Sequence, residues 1–182
     1  MTDSKEQEIL DKIADPQSRE EGYRILLNTY QQHIYWQVRK MVLSHDDTHD
    51  VVQNVFIKVF KGLKNFKGHS KLSTWLYRIA YNESITFLNK RSKQLKISDQ
   101  ELALKMTDDL VADAHFTAGE VELALQRALA ALPARQRQIF NYRYFDELKF
   151  KDIAAVLDLS EGAVKSSYHI AAKKIESHIK SH

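Results

Sequence analysis

Apolar residues recur at steps of three and four along most of this chain, the repeat of helices that each bury one face. Residues 5–14 carry a short run of this kind. Residues 20–44 carry a longer one, with Tyr23, Leu26, Leu27, Tyr30, Ile34, Val38, Met41 and Val42 on one stripe. Ser44-His45-Asp46-Asp47 interrupts it with good helix-capping residues. A new stripe then runs through Val51, Val52, Val55, Phe56, Val59, Phe60 and Leu63. Asn65–Ser73 reads as a loop with Gly68, small polar residues and three lysines within reach, Lys64, Lys67 and Lys71. A further helix spans about 73–89, and Lys90–Lys96 forms a basic tail on it. Residues 97–118 are acidic, lack a sustained stripe and read as a linker with a turn near Leu102–Met106. Helical spacing returns at 120–131, at 133–144 with Pro133 as its first residue, at 150–157 and at 161–178. The pattern predicts an all-α chain. Two small helical domains, residues 1–96 and 119–182, are joined by a flexible acidic linker at 97–118, and the second contains a helix-turn-helix.

Composition narrows the chemistry. The 182 residues are 43% hydrophobic, enough for a core, with only five Gly, two Pro and no Cys. That excludes glycine-rich phosphate loops, turn-dense β folds, disulfides, thiol catalysis and cysteine-type zinc sites. No apolar run approaches ~18 residues and the first residues are acidic, so neither a membrane span nor a secretory signal is expected. The expected setting is cytoplasmic. His45 and His49 have the i, i+4 spacing of metal ligands, but no third ligand can be named, and no nucleophile–base set is visible. No catalytic residue, metal or cofactor is expected.

The net charge of +3 conceals a strong segregation. Residues 1–50 hold six basic and ten acidic side chains, net −4, and residues 51–96 hold ten and one, net +9. Residues 97–134 hold two and seven, net −5, and residues 135–182 hold nine and six, net +3. The +9 block is a candidate polyanion-binding surface, and the acidic segment after it could fold back and mask it.

The segment Phe150–His169 carries the most specific local signal. Ile153, Ala154 and Leu157 face a core, Leu159 seats a turn, Ser160 is a suitable N-cap and Glu161 suits the positive helix end. Val164, Tyr168, Ala171, Ile175 and Ile179 form the buried stripe of the second helix. The opposite face shows Gly162, Lys165, Ser166, His169 and Lys173, the layout of a recognition helix entering a major groove. Lys165, Ser166, Ser167 and His169 can address base edges. No arginine occurs in residues 144–182, so binding leans on phosphate contacts from Lys149, Lys151, Lys165 and Lys173, with a salt slope of roughly −4 on duplex DNA.

The helix at 46–63 has a second face with Asp50, Gln53, Asn54, Ile57, Lys58 and Lys61, where Ile57 suggests a protein partner. The helix after the loop is aromatic or apolar on nearly every side, and Glu83 falls near the middle of its apolar face with no partner legible. Aromatic side chains beside a basic loop suit unpaired bases, although for most of them a core role is preferred.

Asp46-Asp-Thr-His-Asp-Val-Val-Gln-Asn-Val-Phe56, Phe66-x-Gly-x-Ser70 and Thr74-Trp-Leu-Tyr-Arg-Ile-Ala-x-Asn82 together resemble region 2 of bacterial extracytoplasmic-function sigma factors. Leu132-Pro-x-x-x-Arg137 and the helix-turn-helix resemble region 4 of the same family. The resemblance implies a dissociable RNA polymerase subunit, not an enzyme, that reads and melts the minus-ten promoter element with region 2 and reads the minus-thirty-five element with region 4. It implies polymerase contacts at Asp50, Gln53, Asn54, Ile57 and Lys58 on the β′ coiled coil, a second contact between region 4 and the β flap, and an acidic linker that mimics RNA. It implies minus-ten contacts at Lys67, His69, Ser70, Lys71, Trp75 and Asn82, and minus-thirty-five contacts at Lys165, Ser166, Ser167, His169 and Lys173. An anti-sigma protein is the implied regulator. The chain departs from the family's common residues at Asn54, usually Glu, at Asp158, usually Gly, and at Ser167 and Ile170, usually Arg. Without the resemblance, a helix-turn-helix repressor that binds duplex DNA alone remains a rival reading.

Overall fold

The computed structural model describes residues 3–111 and 120–180. Among them the chain forms α1 (Asp3–Ala14), α2 (Arg19–Val42), α3 (His45–Leu63), α4 (Leu72–Leu95), α5 (Asp99–Val111), α6 (Glu120–Ala130), α7 (Ala134–Tyr144), α8 (Phe150–Leu157) and α9 (Glu161–Lys180), with no strand. No described helix is long and apolar enough to cross a membrane. The stripes read from the sequence meet where periodicity placed them. Leu26, Tyr30, Ile34 and Val38 of α2, Val55 and Val59 of α3, and Leu76 and Ala80 of α4 are fully buried in one core. Gly22 lets α1 approach α2, because a Cβ there would lie 2.7 Å from Ile13 Cγ1. Ser44 caps α3 by accepting from the Asp47 N–H at 3.3 Å.

Two stretches differ from the sequence expectation. The basic tail at 90–96 is not a tail, since α4 continues to Leu95 and buries Leu88 and Ser92. The expected flexible linker is helical over Asp99–Val111, and Leu102, Ala103, Met106 and Thr107 are buried, with Leu102 and Met106 in the core of α1–α4. A capping box starts this helix: the Ser98 N–H donates to Glu101 Oε2 at 2.7 Å, and the Glu101 N–H donates back to Ser98 Oγ at 3.2 Å. The Ser98 N–H and the Ser98 hydroxyl, both donating to Glu101 Oε2, hold that carboxyl below its usual range. The rest of the expected linker, 112–118, lies outside the described residues.

Helices α6–α9 enclose two small apolar clusters. Leu129, Phe140, Ala171 and Ile175 form one, and Ile139, Ile153, Val156 and Val164 form the other. Ile179, expected on the buried stripe, is 41% exposed, and Pro133 precedes α7 as its cap rather than opening it. The turn between α8 and α9 is tied by the Leu159 N–H donating to the Ala154 carbonyl at 3.0 Å and by Ser160 Oγ accepting from the Ala163 N–H at 3.2 Å. Asp158 sits at the end of α8 with φ 56 and ψ 52, a left-handed conformation in which glycine carries no Cβ penalty. Asp158→Gly is therefore expected to stabilise the C-terminal helices by about 0.5–1 kcal/mol, read as a raised urea midpoint with an unchanged slope.

Candidate nucleic-acid interface

The outer face of α9 is open. Lys165, Ser166, His169 and Lys173 are exposed, and Ser167 is half-buried beside them. Glu161 ion-pairs with Lys165 at 2.7 Å and so draws that lysine toward the start of the helix. The buried stripe of Val164, Ala171 and Ile175 fixes this face outward, because side chains one and two turns apart share a direction.

The loop between α3 and α4 presents Lys64, Lys67, His69 and Lys71 as exposed side chains, with Ser70 half-buried. Gly68 has φ +69, which gives the loop its bend. Trp75 is half-buried rather than free. Its ring lies 5.2 Å from Phe66 by centroids, and a Cβ on Gly62 would come within 3.0 Å of it. The indole therefore pins the loop to the end of α3. Asn82 is exposed on α4, ten residues and about 15 Å along the helix from Leu72. The +9 block does not form one surface. Its loop lysines lie at the start of α4, while Lys90, Lys93 and Lys96 lie at the far end, roughly 28 Å away. Arg91 is ion-paired with Asp47. Helix α5 packs Leu102 and Met106 beside the far end, next to a groove that Phe87, Lys90 and Arg91 line, while Lys90, Lys93 and Lys96 stay exposed rather than masked by the acidic segment.

The second face of α3 presents Asp50, Gln53, Asn54 and Ile57, all exposed, with Ile57 at 43%. Lys58 is exposed but committed to an ion pair with Glu83, which is the partner that the sequence did not reveal for that carboxylate. Beside the start of α3, the Tyr35 hydroxyl and His45 Nδ1 are hydrogen-bonded at 2.9 Å, and His45 and His49 bring their Nε2 atoms to 3.2 Å. Among the described residues no group of three or more His, Cys, Asp or Glu is arranged to hold a metal. Trp36, on the adjacent surface of α2, is 52% exposed and had no signal in the periodicity.

Two arrangements were invisible in the sequence. The first is Glu6 of α1, which is buried and accepts from the Tyr30 hydroxyl at 3.0 Å and from the Leu72 and Ser73 N–H groups at 2.7 and 3.2 Å. It caps α4 from another helix, since Lys71 at the N-cap makes no side-chain cap bond. Burial and the Glu6 carboxylate together push the Tyr30 phenol well above its usual range.

The second is a contact between the two halves of the chain. Gln37 Nε2 donates to the Tyr77 carbonyl at 3.0 Å and to the Tyr142 hydroxyl. Lys40 pairs with Asp146 and lies 5.1 Å from the centre of the Phe145 ring. Arg78 donates to the carbonyls of Ala155 and Val156, where a cation meets the negative end of α8. The face of α7 turned toward this contact is polar. Arg137, Gln138 and Asn141 are buried on it, and several of their polar side-chain atoms meet no hydrogen-bond partner among the described residues. Burial lowers the Arg137 guanidinium to about 10. Burial also raises the phenol of Tyr142 well above its usual range and that of Tyr77 to about 12, the latter helped by Asp146 and Glu6.

The comparisons with known proteins match both halves of the chain. Residues 26–94 match sigma-70 region 2, and residues 122–175 match sigma-70 region 4. The RNA polymerase sigma-H factor of Pseudomonas aeruginosa is 27% identical over 97% of this chain and 94% of its own length. The sigma-E factor of Escherichia coli K12 is 29% identical over 88% and 87%. The fold is similar to that of CnrH in complex with the cytosolic domain of CnrY, with TM-score 0.68, 19% identity and coverage of 98% and 97%. It is also similar to the sigma factor RpoE of Bartonella quintana in complex with the anti-sigma factor NepR, with TM-score 0.66, 20% identity and coverage of 87% and 96%. The chain is thus a sigma-70-type factor, a protein of promoter-specific transcription initiation rather than an enzyme. Within that class it belongs to the extracytoplasmic-function group.

Proposed function

We propose that the two domains, 1–96 and 119–182, divide promoter recognition between them on core RNA polymerase, in the cytoplasm. Asp50, Gln53, Asn54 and Ile57 of α3 dock on the β′ coiled coil. Lys58 contributes less there, because Glu83 already holds it. The C-terminal domain rests on the β flap. Lys67, His69, Ser70, Lys71 and Asn82 hold the unpaired minus-ten strand, and Trp75 positions their loop from beneath. Lys165, Ser166, Ser167 and His169 read the minus-thirty-five groove, with Lys173 on phosphate. The observation that carries this reading is the open outer face of α9 on a helix-turn-helix that shares its chain with an exposed apolar–polar face on α3. A repressor needs the first and has no use for the second. An anti-sigma partner is part of the proposal, supported by a similar fold in a sigma factor bound to an anti-sigma factor.

The interdomain contact implies a step before promoter binding. The minus-ten and minus-thirty-five elements lie about 25 base pairs apart, roughly 85 Å of duplex at 3.4 Å per pair. With Arg78 of α4 seated on the end of α8, the two reading surfaces cannot span that distance, so the domains separate when the chain binds polymerase. The buried polar side chains Arg137, Gln138 and Asn141 of α7 favour this, because opening returns them to water.

Run-off transcription with core polymerase over a promoter library tests the assignment. The expected result is sequence-specific transcripts with the polymerase and no specific gel shift by the chain alone. Ile57→Glu is expected to weaken core binding about tenfold or more by placing a charge in an apolar contact, measured by competition for core polymerase. Tight specific duplex binding by the isolated chain would favour the repressor.

A further inference from the structure

Ile170 is the large apolar side chain on the reading face of α9. It is 47% exposed and belongs to neither apolar cluster of the C-terminal helices. By helical angle it lies away from the buried stripe of Val164, Ala171 and Ile175, one turn beyond Ser166 and one turn before Lys173, with His169 beside it. An exposed isoleucine needs no explanation on an idle surface. This one is surrounded by the side chains that face the groove, with Ser166 and Ser167 a turn before it, His169 beside it and Lys173 a turn after it.

Its chemistry selects its target. Isoleucine neither donates nor accepts a hydrogen bond, so it cannot recognise the edges of guanine, adenine or cytosine. The one apolar group that the major groove offers is the C5-methyl of thymine. The neighbouring groups supply little discrimination of their own. Lys165 is drawn to Glu161, the serine hydroxyls suit any base, and Lys173 suits phosphate. We propose that Ile170 is a specificity-determining residue that reads a thymine methyl in the minus-thirty-five element. The proposal rests on the assignment of α9 as the minus-thirty-five reader.

The test uses holoenzyme reconstituted from core polymerase and the full chain, on a promoter selected from a library. Each thymine of the upstream element is replaced singly by deoxyuridine, which deletes only the methyl. At one position the loss of the methyl is expected to weaken promoter-complex formation about fourfold, the value of one buried methyl group. That sensitivity falls to about onefold in Ile170→Ala and persists in Ile179→Ala, which removes an exposed isoleucine from the far end of the same helix. Ile170→Arg is expected to move the preference at that position to guanine. An upstream element read by base identity but indifferent to every methyl overturns the proposal alone, as does a methyl effect unchanged in Ile170→Ala. A holoenzyme indifferent to the whole upstream element overturns the assignment of α9 and the proposal with it.

Discussion

Locking the two domains together is expected to reduce promoter-specific transcription to background while leaving the chain folded. The protein contains no cysteine, so Lys40→Cys with Asp146→Cys introduces the only two thiols, at positions whose native side chains already meet. A cleavable bis-maleimide joining them holds α2 against the segment after α7. The locked chain cannot place its two reading surfaces roughly 85 Å apart, and reductive cleavage of the linker should restore transcript. Lys40→Glu alone acts in the opposite direction. It replaces a partly buried ion pair with two like charges and removes the cation from the Phe145 ring, shifting the balance toward the open form by about fivefold or more. Small-angle scattering should then report a larger radius of gyration. Full transcription from the locked chain would refute the opening step.

Glu6→Ala is expected to cost the N-terminal domain about 2–4 kcal/mol, measured by urea unfolding. Three donors converge on that carboxylate, and its removal takes the acceptor from the buried Tyr30 hydroxyl and Leu72 N–H and from the part-buried Ser73 N–H. Glu6→Gln keeps an acceptor but loses the charge at the positive end of α4, so a smaller loss is expected. The effect should reach function, because the first turn of α4 carries the loop at 64–71. A variant that remains folded at low temperature should lose open-complex formation, read by reactivity of unpaired thymines near the start site, more than it loses core binding at α3.

The same two features mark the limit of what periodicity can reveal. Stripes at steps of three and four located eight of the described helices, although α4 runs six residues past its expected end, since burial of one face decides where a helix forms. They failed at α5 because its apolar positions, Leu102, Ala103 and Met106, are few and lie within an acidic segment. The Ser98–Glu101 capping box was nevertheless present and would have placed its start. The outer faces of α3 and α9 were legible as the complements of their buried stripes. Trp75 and Lys58 were legible as residue types but not in their packing, because Gly62, Phe66 and Glu83 reach them from other helices.

Local spacing by itself determined the helices and the faces they bury, since these depend on residues within a turn or two of one another, while the two sigma-type regions were legible through the resemblance of their motifs. Only the tertiary structure decided that a carboxylate from α1 caps α4, that the basic block splits between the two ends of that helix, and that the domains close through Gln37, Lys40 and Arg78. Each of these joins groups dozens of residues apart, and no short-range periodicity records which distant donor an acceptor will meet.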